Sequence, residues 1–206
     1  MKRKPKVIPR ILWHYTKGIH LPKILDTGLI APATAFVPED ERPVVWFSTN
    51  QWWEPSMAPG HPDQFVNGKF VKPHSMSMAE TAESYGLARI GVAPETAPHD
   101  WQALKKLSGM TSRMAQGVYR ASIKCGARPG EWRGTFNVVP KDKWRAVEVF
   151  QDGRWQPLDD SHSALLAKWN AMRAHLQPIF LMGHDSTGTD LHLGCGTAFI
   201  GPDALN

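Results

Sequence analysis

The stretch ILWHYTKGIHLPKILDTGLIAP (residues 11–32) carries most of the information about this chain's fold. Residues 11–15 predict a short buried strand. Apolar residues at helical spacing then predict a helix over residues 20–27 that stops at Gly28. The polar tripeptide His14, Tyr15 and Thr16 stands at the end of the strand. Its side chains either face a ligand or only begin the next turn.

A second strand with a polar end follows. Residues 44–48 (VVWFS) predict a buried strand, and Ser48 and Thr49 stand at its tip. Residues 51–73 are rich in proline and glycine and predict a long loop or lid, with a hairpin around Asn67-Gly68.

The remaining pattern mixes helices and strands without a regular alternation. Further helices are predicted over residues 77–85, 101–107, 112–125 and 161–176. Further strands are predicted over residues 87–92, 145–150, 154–158, 179–182 and 191–200. This order favours an α+β fold. We expect a single domain over residues 11–206, preceded by a basic arm over residues 1–10.

The excess positive charge of the chain lies in its first ten residues. The first ten residues carry five basic groups and no acidic one, whereas the chain as a whole has 24 basic and 19 acidic residues. The arm therefore accounts for the net charge of +5. Such an arm either contacts phosphates or serves as a solubilising end.

The composition bounds the class of protein. Hydrophobic residues make up 42% of the chain, and the longest apolar runs are too short to span a bilayer, so no membrane partner is predicted. Two cysteines in 206 residues form no disulfide framework and are typical of a reducing cytosol, so the predicted location is cytoplasmic. His184, His192 and Cys195 match no zinc spacing, and no metal is predicted.

The two polar-tipped strands and the helix between them resemble the ADP-ribosyltransferase superfamily. The similarity is strongest to the branch that includes the DNA-modifying toxins and the tRNA 2′-phosphotransferases, and it covers residues 11–50. It implies a split β-sheet cleft with flanking helices, NAD as substrate, and a protein or nucleic acid as acceptor of ADP-ribose. A toxin or phage protein would fit this resemblance.

The resemblance also implies roles for individual residues. The His of the first strand would hold a ribose hydroxyl, and the tip of the second strand would support the nicotinamide. The predicted NAD-binding residues are His14, Tyr15, Thr16, Trp46, Ser48, Thr49 and Trp53. Arginine-specific members of the superfamily carry Glu or Gln two residues before the catalytic Glu. Here Ala146 stands two residues before Glu148, so the resemblance does not imply an arginine acceptor.

Cleavage of the nicotinamide–ribose bond builds positive charge on the sugar, and a fixed carboxylate would stabilise it. Glu148 is the first candidate, because it interrupts the apolar strand RAVEVF, where an unpaired carboxylate would be costly to bury. Glu54, after Trp52-Trp53, is the rival.

Several alternatives stay open. His14 could be a hydrogen-bonded core histidine, Ser48 and Thr49 could be turn residues, and Glu148 could face solvent from an edge strand. At the level of function, the chain could be a non-catalytic binding or inhibitor protein that uses its Trp-rich loop as an interface. An enzyme similar to the RNA 2′-phosphotransferases is a further alternative.

Overall fold

The computed structural model describes residues 8–34, 37–60, 64–66, 69–71 and 75–182. Its strands are β1 (Leu12–Lys17), β2 (Leu29–Ile30), β3 (Val45–Ser48), β4 (Gln64–Val66), β5 (Lys69–Val71), β6 (Leu87–Val92), β7 (His99–Asp100), β8 (Trp132–Thr135), β9 (Val139–Pro140), β10 (Trp144–Gln151) and β11 (Arg154–Pro157). Its α-helices are α1 (Leu21–Thr27), α2 (Met78–Tyr85), α3 (Trp101–Leu107), α4 (Ser112–Lys124) and α5 (Ser163–Met182).

Seven strands form one antiparallel sheet in the order β11-β10-β6-β1-β3-β8-β7. Strand β2 pairs with β9, and β4 pairs with β5, as the hairpin prediction requires. Strand β10 lies between β11 and β6, so Glu148 is on an interior strand. The interpretation of Glu148 as a residue of an edge strand is therefore wrong.

Helices α1 to α4 begin and end within one residue of their predicted bounds, whereas α5 begins two residues and ends six residues later than predicted. Gly28 closes α1 in the left-handed conformation at φ 66°, which costs glycine little. Ser77 and Glu80 form a capping box at the start of α2, and Asp100 caps α3.

One face of the sheet carries the main apolar core, covered by α1 and α5. Residues of the central strands, such as Leu12, Phe47 and Ile90, are buried in it. Trp169 of α5 lies against Gly18 and Gly86 so closely that a Cβ at either glycine would overlap the indole ring. This contact fixes α5 over the end of β1.

A smaller apolar cluster lies on the opposite face. It contains Trp101 of α3, Val118 of α4 and Trp132 of β8, with Trp46 packed against it. The two clusters place helices on both sides of the sheet, and the α+β prediction is confirmed.

Two predictions from the sequence fail here. Residues 179–182 continue α5 and form no strand, because a run of four apolar residues does not distinguish a strand from a helix. Cys125 is disulfide-bonded, so the cysteine argument for a reducing compartment no longer holds.

The predicted strand over residues 191–200 lies outside the described residues. No described helix is both long enough and apolar enough to span a bilayer.

Candidate functional site

The seam between β1 and β3 is the least paired junction of the sheet's centre. Only Trp13 and Ser48 are register partners across it, whereas β1 and β6 share six partner pairs. Four strands of the sheet lie on the β1 side of this seam and three on the β3 side, and side chains of β1 make further contacts across it.

His14 lies in this seam. Its Nδ1 is 2.9 Å from the carbonyl oxygen of Trp46, and its ring packs against Phe47 at 5.7 Å between centroids. Because a carbonyl only accepts, Nδ1 carries the proton. Burial lowers the pKa of His14, even though the bond to Trp46 opposes this, so the imidazole is neutral at pH 7. Nε2 is then the acceptor nitrogen, suited to a ligand hydroxyl.

Cationic side chains gather where β1 passes into α1. Burial, followed by the nearby charges of Lys17, Arg173, His14 and Lys23, lowers the pKa of His20 to about 4. Part of the His20 residue is exposed to solvent, so the ring lies at the opening of this cluster. The basic residues Lys17, Lys23 and Arg173 therefore lie near His20.

Two members of this cluster are partly buried. Burial lowers the pKa of Lys17, whose Nζ lies 5.0 Å above the Tyr85 ring. Arg173 is four residues beyond Trp169 on α5, and its Nε is buried without a hydrogen-bond partner among the described residues. Neighbouring basic side chains of this kind attract an anion, and a phosphate in particular.

The tip of β3 meets the start of β8. The Thr49 amide donates to the carbonyl oxygen of Glu131 at 2.8 Å, and the Asn50 side chain donates to the Glu131 carboxylate at 3.3 Å. Ser48 is buried, and its hydroxyl accepts from the Asn50 amide. Ser48 and Thr49 therefore take part in turn structure, and their neighbour Asn50 holds a carboxylate that the sequence did not single out.

Glu131 has weak partners. Its other oxygen lies 3.6 Å from Arg128, whose side chain is 79% exposed, and exposed pairs of this kind contribute little. The carboxylate itself is 18% exposed. It therefore stays available to a cationic group. Sequence reasoning missed it because it precedes a strand, WRGT, that has no apolar alternation.

Glu148 has a strong partner. It faces Arg89 across β10 and β6, and Arg89 donates to it from Nε at 2.7 Å and from Nη2 at 2.5 Å. The Arg89 guanidinium lies between the rings of Trp13 and Trp155, 3.9 and 4.2 Å from their centroids. It also donates to the carbonyl oxygen of Gln51. The Glu148 charge is thus compensated by a buried structural network.

Tyr15 and Trp53 belong to that same network. The Tyr15 hydroxyl donates to the carbonyl oxygen of Asn50 at 2.8 Å, and burial raises the pKa of Tyr15. The Tyr15 ring packs edge-on against Trp53 and Trp155. Register partners share a face of a sheet, so Tyr15 lies on Arg89's face and His14 on the other.

Glu54 is buried, with 7% of its surface exposed. Its Oε1 accepts from the amide and the hydroxyl of Ser56 and so caps a short 3₁₀ turn. Its Oε2 has no hydrogen-bond partner among the described residues. The oxygen of this cap that has no partner costs free energy, because a buried polar atom is ordinarily hydrogen-bonded.

The structure therefore divides the predicted NAD-binding residues. His14 and the buried Thr16 lie on the face of α1 and α5, beside the cationic cluster. Tyr15, Ser48 and Trp53 lie on the opposite face, Ser48 because it is the register partner of Trp13. The prediction that Ser48 shares one site with His14 is therefore wrong. Trp46 also faces away from His14 and packs against Trp101 and Trp132.

No family model, no curated protein and no solved structure matches this chain.

Proposed function

We propose that the protein transfers ADP-ribose from NAD to an acceptor, and that NAD binds on the His14 face of the seam. The observation that carries this proposal is the cationic cluster at the end of β1. NAD contains a diphosphate, and Lys17, His20 and Arg173 supply several donors with little competing negative charge.

His14 extends the same site. Its neutral imidazole presents Nε2 as acceptor, which suits a ribose hydroxyl. Because the ring is anchored to Trp46 and Phe47, its position is set before the ligand arrives. Preorganised groups lose little entropy on binding.

In the reaction, the bond between the ribose C1′ and the nicotinamide nitrogen breaks, and nicotinamide leaves with the electron pair. The acceptor's oxygen or nitrogen then forms a bond to C1′ and loses its proton. The sugar carries positive charge between these events, so a carboxylate beside the sugar lowers the barrier.

Glu131 is the carboxylate best suited to this role. Its neighbours Thr49 and Asn50 place it at the tip of β3, and its ion pair with Arg128 is weak. Glu148 is compensated by Arg89, and Glu54 caps a turn. The assignment replaces the first choice, Glu148, with a residue whose charge is free to act.

Titration calorimetry with NAD tests the binding part of the proposal. Arg173→Ala should weaken NAD binding about tenfold, since a hydrogen bond to a charged group contributes about 1.5–3 kcal/mol. Lys168→Ala removes an exposed cation from the same helix and serves as the matched control. Equal affinities in the wild type and Arg173→Ala would contradict the diphosphate assignment, and no heat with NAD would contradict the proposed substrate.

A further inference from the structure

A groove of about 440 Å³ lies between α3 and α4, away from the seam. Gln102, Lys105 and Lys106 line it from α3, and Gln116 and Tyr119 line it from α4. These residues recur at spacings of three and four, so each helix presents one continuous face to the groove.

The charge around this groove is strongly unbalanced. Residues 101–128, which contain both helices, carry six basic residues and no acidic one: Lys105, Lys106, Arg113, Arg120, Lys124 and Arg128. Outside this segment and the basic arm, the chain carries 13 basic against 19 acidic residues. The positive charge of the folded part is thus concentrated on one pair of helices.

These cations have few partners within the protein. Among the described residues, Arg128 is the one of the six that forms an ion pair, with Glu131. Lys106, Arg113, Arg120 and Lys124 are exposed. Uncompensated like charges on neighbouring turns repel one another, and a polyanionic partner would remove that cost.

The groove also offers an aromatic surface. Tyr119 is 47% exposed, and Ile123, one turn further along α4, is 49% exposed. An exposed aromatic ring beside cations and amides is the combination that binds unpaired bases, because the ring stacks on a base while the cations contact phosphates. A duplex would use only the cations, since its bases are stacked inside.

We propose that the α3–α4 groove binds single-stranded nucleic acid. Lys105, Lys106, Arg113 and Arg120 contact the phosphates, Tyr119 stacks on a base, and Gln102 and Gln116 contact base edges. The site requires neither NAD nor turnover, so it stands or falls independently of the proposed transferase activity.

Fluorescence anisotropy with labelled oligonucleotides of about 12 nucleotides, the size range of single-strand sites, tests the proposal. We expect the protein to bind unpaired RNA or DNA. Comparing an RNA with a DNA oligonucleotide of the same sequence shows which of the two the groove prefers. Tyr119→Ala should weaken binding about tenfold, as expected for the loss of one stacked base, and Tyr119→Phe should retain it. Lys105→Ala/Lys106→Ala should lower the slope of log K against log salt by about 1.4, or about 0.7 per lost contact to a single strand.

Lys141→Ala/Lys143→Ala provides the matched control, because it removes two exposed lysines from another surface. This double variant should bind the oligonucleotides as tightly as the wild type does. Arg113→Ala/Arg120→Ala gives a second test should the Lys105/Lys106 pair fail to fold. The proposal is overturned if neither strand type binds at low salt, if the control weakens binding as much as the groove variants, or if a duplex of equal length binds as tightly.

Discussion

At the scale of the residue, the two carboxylates Glu131 and Glu148 have opposite surroundings. Glu148 is held by Arg89 beneath two tryptophan rings, whereas Glu131 has one amide donor and one exposed arginine. The structure therefore predicts that Glu148 supports the fold and Glu131 the chemistry.

Glu148→Gln should lower the free energy of unfolding by about 2 kcal/mol. Breaking a fully buried pair costs about 3–5 kcal/mol, and the 18% exposure of the Glu148 side chain reduces this. Urea denaturation measures the change. Glu131→Gln should unfold like the wild type. A Glu148→Gln protein of unchanged stability would contradict the structural role.

The pH dependence of stability should report on His20. Its pKa is about 4 in the folded protein, against about 6.5 in an unfolded chain. As the pH falls from about 6.5 to about 4, the unfolded state takes up a proton that the folded state does not, so the protein loses stability in that window. His20→Asn should flatten the loss, as followed by thermal denaturation from pH 7 to pH 4. A profile identical to that of the wild type would argue against the desolvated cluster.

At the scale of the element, the contact between α5 and the end of β1 positions Arg173. Gly86 has φ +69°, and a Cβ on it would lie 2.2 Å from the Trp169 ring. Gly86→Ala should therefore destabilise the protein by about 3 kcal/mol or more, through backbone strain and overlap together.

Gly153→Ala is the matched control for this prediction. It also has a positive φ, +74°, but nothing lies within 4 Å of its added Cβ. We expect Gly153→Ala to lower the free energy of unfolding by about 1 kcal/mol, because only the backbone is strained there. Equal losses in the two variants would show that the Trp169 contact does not matter.

The elements differ in how much their sequence reveals. The sequence predicts strand β6 and helix α3 to the residue, because the strand is mostly apolar and the helix has a clear cap. Strand β8 was missed, since its sequence WRGT has no alternation and its burial comes from neighbouring strands and helices. Short strands such as β7 and β9 exist only through tertiary pairing, which no local pattern encodes.

At the scale of the whole molecule, the sequence placed His14 at the end of the first strand, whereas His14 lies in the middle of β1, and the sequence did not show its neighbours. Register decides which side chains share a face, and register is not readable from one strand. The hydrogen-bonded residues Arg89 and Glu148 are 59 positions apart in the sequence, and Asn50 and Glu131 are 81 positions apart. The cationic cluster likewise joins β1 to α5, so only the folded chain reveals it.

The most direct test of this account is nicotinamide release from NAD by the purified full-length protein, measured with single-stranded RNA, single-stranded DNA or a cell lysate as acceptor. We predict release by the wild type and a loss of about 10²–10³ in rate for Glu131→Gln, the usual cost of removing one well-placed electrostatic group. Glu148→Gln, measured where it is folded, should retain most of the rate. Wild-type protein that releases no nicotinamide with any acceptor, or a Glu131→Gln protein as active as the wild type, would contradict the account.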